Sequence, residues 1–178
     1  MNREKKTFVI LFIICSLCTF HSCKKKTLSS KIPEISFLSF EKIIPTEGNI
    51  VHKGIVTFSY SDGNGDIGLK QNDTLGIHSK GQEHYYNLWI NYQEMQNGKW
   101  KDIQLIDPVS KEEIFFHTRI PVLLPYEQEQ IIKGEISDTI FIYNPLSKYD
   151  TIRFSLQIAD RELNKSNIII TPMIIRTK

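Results

Sequence analysis

Asp62, Asn64 and Asp66 occupy alternate positions in the run Ser59-Tyr-Ser-Asp-Gly-Asn-Gly-Asp-Ile-Gly-Leu-Lys-Gln-Asn-Asp73. Each carries a side-chain oxygen, and such spacing suits a hard cation. A calcium ion takes roughly six to eight oxygens, and a loop offering side chains at positions 1, 3 and 5 and a carbonyl at 7 can wrap one. Counted from Asp62, position 7 is the carbonyl of Gly68 and position 12 is Asp73. Gly63 and Gly65 allow tight folding between ligands, because glycine tolerates positive φ. The expectation is a Ca2+ site built from Asp62, Asn64, Asp66, Gly68 and Asp73.

The loop departs from a helix–loop–helix calcium hand. Ile67 stands where that loop has glycine, Lys70 places a cation at position 9, and Asp73 is a methylene shorter than the usual bidentate glutamate. The flanks read as strands. The turn therefore resembles the DxNxD calcium turns of extracellular β-rich modules. Asp, Asn and Gly are also what an ordinary polar turn uses, and that reading stands beside the calcium one.

The rest of the chain offers little catalytic machinery. His52, His78, His84 and His117 lack the close spacing of a transition-metal site such as HExxH. No GxSxG elbow and no GxxxxGK[ST] phosphate loop is present. Glu112-Glu113 and Glu127/Glu129 are carboxylate pairs, but a glycosidase needs its pair placed across a sugar cleft, and the default for these is solvated surface. Tyr85, Tyr86, Trp89, Tyr92 and Trp100 gather around one hairpin. Exposed aromatics can stack on sugars or form a protein interface, so Tyr85, Trp89 and Trp100 are the candidate ligand-binding residues. The expectation is a protein that is not an enzyme.

The N-terminus reads as a targeting segment. Arg3, Lys5 and Lys6 precede an apolar run from Phe8 to Phe20, too short to span a bilayer. Ser22-Cys23 follows, a small residue directly before cysteine. That pattern resembles a bacterial lipobox, which implies cleavage before Cys23 and acylation of its thiol and new amine. Residues 1–22 are then a signal peptide, 23–31 a lipidated Cys and basic tether, and 32–178 one domain. Cys15 and Cys18 leave with the signal, so the domain has no disulfide. Removal of residues 1–22 takes three of the 22 basic and one of the 20 acidic residues, leaving 19 of each. A neutral domain argues against a nucleic-acid partner, which calls for a basic face.

From Ile32 onward the chain reads as short strands: Glu34–Phe40, Gly54–Tyr60, Tyr85–Glu94, Trp100–Ile106, Glu113–Ile120, Gly134–Tyr143, Thr151–Ala159 and Asn167–Ile175. Gln96-Asn97-Gly98-Lys99 is a hairpin turn, and Pro172 marks the last strand as an edge or a bulge. Pro121–Gln130 reads as a connection with room for one helical turn. About seven to nine strands with no helical period predict an all-β chain, an antiparallel sandwich of immunoglobulin or fibronectin type. With Gly54–Tyr60 as strand B, Tyr85–Glu94 as C, Thr151–Ala159 as F and Asn167–Ile175 as G, the B–C and F–G loops leave at one end. Asp160, Asn164 and Asn167 then join Asp62, Asn64 and Asp66, and Asp160 becomes a further metal ligand.

The lipobox, Phe58-Ser-Tyr-Ser-Asp-Gly-Asn-Gly-Asp-Ile-Gly68 and Asp160-Arg-Glu-Leu-Asn-Lys-Ser-Asn167 together resemble small uncharacterised cell-envelope lipoproteins of Bacteroidota-type bacteria. The resemblance implies a lipid anchor in the outer membrane, on its periplasmic or its surface face, and brings no activity with it. The expected role is a non-catalytic binding or scaffolding module, with an envelope protein or a glycan as partner. A glycan-binding accessory role and a carboxylate-dependent hydrolase are the alternatives. Asp73-Thr-Leu, Asp138-Thr-Ile and Asp150-Thr-Ile also match the Asp-Thr-aliphatic pattern glycosylated in the same bacterial group.

Overall fold

A computed structural model describes residues 30–47, 52–107, 109–124 and 130–176. The signal segment, Cys23, the tether up to residue 29 and residues 125–129 of the 121–130 connection, Glu127 and Glu129 among them, lie outside the described residues. The fold is all-β and antiparallel. Its strands are β1 (Glu34–Ile43), β2 (Lys53–Asp62), β3 (Leu88–Gln96), β4 (Lys99–Asp102), β5 (Leu105–Ile106), β6 (Glu113–Ile114), β7 (Ile132–Phe141), β8 (Thr151–Ile158), β9 (Ile169–Ile170) and β10 (Ile174–Ile175). One sheet runs β1-β2-β7 and the other β10-β8-β3-β4, with β9 also on β8 and a separate β5-β6 ribbon.

Period-two alternation builds the space between the sheets, because successive side chains in a strand point to opposite faces. On β8, Ile152, Phe154, Leu156 and Ile158 are all fully buried, while the residues between them are half-exposed. Leu88, Ile90 and Tyr92 of β3 and Val56 and Phe58 of β2 face the same core, together with Ile35 and Ile140. Each such side chain contributes roughly 1.5–3 kcal/mol when fully buried. Rings bridge the layers: Phe154 lies 6.3 Å from Phe40 of the opposite sheet and 5.5 Å from Tyr92 beside it. Gly54 lets Phe40 reach across, since a Cβ there would lie 2.2 Å from the Phe40 ring.

Several expected strands are shorter than the apolar pattern suggests. β3 begins at Leu88 because Glu83–Tyr85 forms a 3-10 turn. Of Glu113–Ile120, only Glu113–Ile114 belongs to a strand; His117 instead offers ring Nδ1 to the Ile90 amide at 3.2 Å. The expected 100–106 strand breaks at Ile103, whose amide donates to Tyr92 O, and the last strand breaks around Pro172. There the Thr171 hydroxyl accepts the Phe154 amide at 3.0 Å, so a side chain continues a ladder that proline cannot. The Asn97-Gly98 turn forms as expected, with φ of 52° and 76°.

Candidate functional site

β2 of one sheet ends at Asp62, and Asp160 lies two residues beyond β8 of the other. The chain ends meet because Ile67 and Asp160 form an antiparallel bridge, and Arg161 N donates to Asp66 O at 3.2 Å. This brings carboxylate oxygens of Asp62, Asp66 and Asp160 within 4.8 Å of one another. Asp62 and Asp160 are 1% and 2% exposed, which makes their mutual repulsion hard for solvent to screen.

The hydrogen bonds account for only part of the cluster. Asp62 Oδ2 accepts the amides of Gly65 at 2.7 Å and Asp66 at 3.0 Å. Gly65 suits that turn, with a φ of 76°. Asp66 Oδ2 accepts the Glu162 amide at 3.2 Å. Both oxygens of Asp160 accept from Asn164, one from its backbone and one from its side chain. Asp62 Oδ1, Asn64 Oδ1 and Asp66 Oδ1 are buried and find no partner among the described residues. Burial, and then the charge of Asp66, push the Asp62 carboxyl up to about 6, against the pull of the Asp66 and Gly65 amides; Asp160 adds to the rise. The Asp160 carboxyl is also raised, chiefly by burial, with Asn164 opposing.

The structure therefore joins Asp62, Asp66 and Asp160, with Asn64 buried in the intervening loop. It places one other expected ligand, Asp73, in a different role. Asp73 is not in the cluster: its Oδ2 accepts the Lys70 amide at 2.7 Å and closes its own turn. In a helical calcium hand the chain returns to the ion at that position. Here it leaves, held through Leu69 N to Ile120 O, while the Arg119 guanidinium gathers the carbonyls of Lys70, Asp73 and Tyr85. Gly68 is buried with φ 113°, and a Cβ on it would lie 2.2 Å from the Pro121 carbonyl oxygen. Its glycine is required by that approach. Asn167 pins β1 instead, exchanging two hydrogen bonds with the Ile35 backbone.

Beside the same loop lies a groove of about 530 Å³, lined by Tyr85, Tyr86, Trp89, Phe115 and His117, with Lys80, Gln82 and Glu83 on its rim. Phe115 is 61% exposed, unusual for so large an apolar ring. Lys165 lies over Trp89 at 5.2 Å and pairs with Glu83 at 2.5 Å, so the loop after β8 braces the groove wall. Trp100 is not part of this groove. It pairs with Met95, six residues along β3 from Trp89, or about 20 Å at strand spacing. Arg153 stacks on it, 4.2 Å from the ring centroid. Tyr92 belongs to the core. His78 and His84 join two turns, with His78 Nδ1 2.8 Å from His84 O.

Two residues with structural weight escaped the sequence reading. Arg119 sits in an irregular stretch with no pattern to single it out. Glu94 could have been found, because it falls on the inward register of Leu88, Ile90 and Tyr92. In comparisons with known proteins, no family model, no curated protein and no solved structure matches this chain.

Proposed function

We propose that this protein is an outer-membrane lipoprotein, anchored through lipid on Cys23, whose folded domain is a non-catalytic binding module of immunoglobulin type. The strand order supports the fold assignment. Read as A, B, C, C′, E, F and G, the strands β1, β2, β3, β4, β7, β8 and β9–β10 give A-B-E facing C′-C-F-G. Immunoglobulin-type sandwiches carry binding loops at one end of such a pair of sheets. Here the B–C loop runs from Asp62 to Leu88 and contributes Tyr85 and Tyr86 to the groove.

The observation that carries the binding role is the aromatic groove. Tyr85, Tyr86, Trp89 and Phe115 surround one concave space whose volume falls within the range of about 300–1,000 Å³ typical of ligand sites. Ring faces with a polar rim favour a glycan among possible ligands, since sugar rings stack on aromatic faces and use hydroxyls at the edge. Among the described residues Glu83 is the carboxylate lining the groove, and Lys165 neutralises it. Hydrolysis of a glycosidic bond calls for two carboxylates across the sugar, so binding fits this groove better.

Two measurements test the two halves separately. Metabolic labelling with a fatty-acid analogue should mark the wild type and not Cys23→Ala; an unlabelled wild type ends the lipoprotein reading. Affinity electrophoresis through gels containing soluble neutral polysaccharides should retard the wild type in at least one of them. Phe115→Ala should remove the retardation without lowering the melting temperature, and Trp89→Ala should remove it as well. Wild-type mobility unchanged in every gel refutes glycan binding.

A further inference from the structure

We infer that Asp62, Asn64, Asp66 and Asp160 form a calcium site that clamps the end of β2 to the end of β8. The carboxylate cluster is one observation. The second is Asn64, a neutral side chain only 7% exposed, whose buried amide oxygen has no hydrogen-bond donor among the described residues. Buried acceptors are almost always paired, and the same small loop also leaves Asp62 Oδ1 and Asp66 Oδ1 unpaired. A single water donates two hydrogens and cannot satisfy three acceptors. It also carries no charge to offset three carboxylates. Oxygens of Asp62, Asp66 and Asp160 lie within 4.8 Å of one another, and like charges so close repel. A divalent cation answers both requirements.

The donor chemistry selects the ion. Every side-chain donor is a carboxylate or amide oxygen, which suits a hard cation over zinc or copper. Calcium accepts irregular sets of roughly six to eight oxygens, including bidentate carboxylates, carbonyls and water, whereas magnesium demands near-ideal octahedral geometry. Four side chains from two loops, with water or carbonyl completing the shell, fit calcium. The amides of Gly65, Asp66, Glu162 and Asn164 already orient the carboxylates, so the donors are held before the ion arrives.

The clamp joins the end of a strand of one sheet to the segment after a strand of the other and anchors the root of the loop that reaches Tyr85 and Tyr86. This inference is independent of any role for the groove, because it concerns the fold's own metal content.

The test uses the full-length chain in detergent, stripped with chelator and then titrated with calcium chloride by calorimetry, with melting followed in parallel. One ion should bind per chain. At calcium about a hundredfold above Kd the melting temperature should rise by roughly 5–10 °C. Magnesium at the same concentration should give a much smaller rise. Asp160→Asn and Asp62→Asn should abolish the calcium-dependent rise, and Asn64→Ala should weaken binding about tenfold. In chelator, the two Asp→Asn variants should melt at or above the wild-type temperature, because each removes a like charge from the empty cluster. That readout separates loss of a ligand from failure to fold. Absence of both heat and melting shift for the wild type at millimolar calcium overturns the inference. So does a calcium-dependent shift that survives in the Asp62→Asn/Asp160→Asn double variant.

Discussion

Asp62 ends a strand of one sheet and Asp160 follows a strand of the other, yet their carboxylates meet within 4.8 Å at one end of the sandwich. The strand pattern explains the meeting. β2 and β8 both run toward this end, and each chain turns within two residues of an aspartate. The Ile67–Asp160 bridge then fixes the two loops side by side. Without an ion, a cluster of this kind is a local electrostatic defect, since like charges close together disfavour one another's ionisation.

The defect has a pH signature. Both Asp62 and Asp160 have carboxyls raised above the ordinary value of 3.8, Asp62 to about 6. A group whose folded-state pKa is raised binds more protons in the folded state than in the unfolded one between the two values. Stability in chelator should therefore fall as pH rises from about 4 through about 6, and the penalty is complete above that window. Asp62→Asn lacks its share of this dependence, so its melting temperature should gain on the wild type across the same window. Calcium affinity should move the opposite way and weaken as pH falls below about 6, because protonated Asp62 is a poor ligand. Melting curves at pH 4.5, 5.5, 6.5 and 7.5, with and without calcium, check both halves.

The core makes a sharper stability prediction. Phe154 is fully buried and touches Phe40, Tyr92 and Phe116 with centroid distances of 6.3, 5.5 and 5.7 Å. It therefore couples both sheets to the 115–117 segment. Phe154→Ala should cost about 3–5 kcal/mol in urea unfolding, the usual range for a buried aromatic. Phe154→Leu should cost much less, since it keeps most of the apolar volume.

The β3–β4 turn provides a local test. Asn97 and Gly98 both have positive φ, as a two-residue hairpin with the right-handed twist of its strands requires. Gly98 has open space around its Cβ position, so packing does not restrict it. Gly98→Ala should therefore destabilise through backbone conformation alone, by roughly 1–2 kcal/mol. Exchange of Asn97 for Gly should be nearly neutral. Chemical denaturation of the two variants distinguishes a φ requirement from a side-chain one.

What the sequence could tell followed the range of the forces involved. Alternation on β2, β3 and β8 comes from a period of two and one buried face, so the inward sets around Phe58, Ile90 and Leu156 were readable directly. The pairing of Asp62 with Asp160 was readable one step further on, from strand order. Asp73 was not, because its fate depends on Arg119 drawing three carbonyls together from a distant irregular segment. The groove was half-legible: Tyr85 and Trp89 are close in sequence, but Phe115 reaches them only through the fold, and the same fold carries Trp100 away.

The opposite end of the sandwich carries the last prediction. Glu94 is fully buried, and its carboxylate accepts from Tyr92 Oη at 2.9 Å, Asn144 Nδ2 at 3.2 Å, Gln96 Nε2 at 3.1 Å and Ser147 Oγ at 2.7 Å. Arg176, 6% exposed, lies 3.5 Å from the same carboxylate and also donates to the carbonyls of Asn144 and Tyr149. The pair fastens the segment after β10 to the connection between β7 and β8. Burial of two charges is costly, and the attraction between them offsets that cost only while both are present. Arg176→Ala should therefore destabilise by about 3–5 kcal/mol, because Glu94 is left without its counter-charge. Glu94→Gln alone should strand the arginine in turn. The Glu94→Gln/Arg176→Met double variant should recover part of the loss, which gives a favourable coupling in a double-mutant cycle. None of these changes should alter calcium affinity, since the network sits at the far end of β3 from the Asp62 loop. Additive losses in the cycle would mean that Arg176 acts through its carbonyl bonds and not through Glu94.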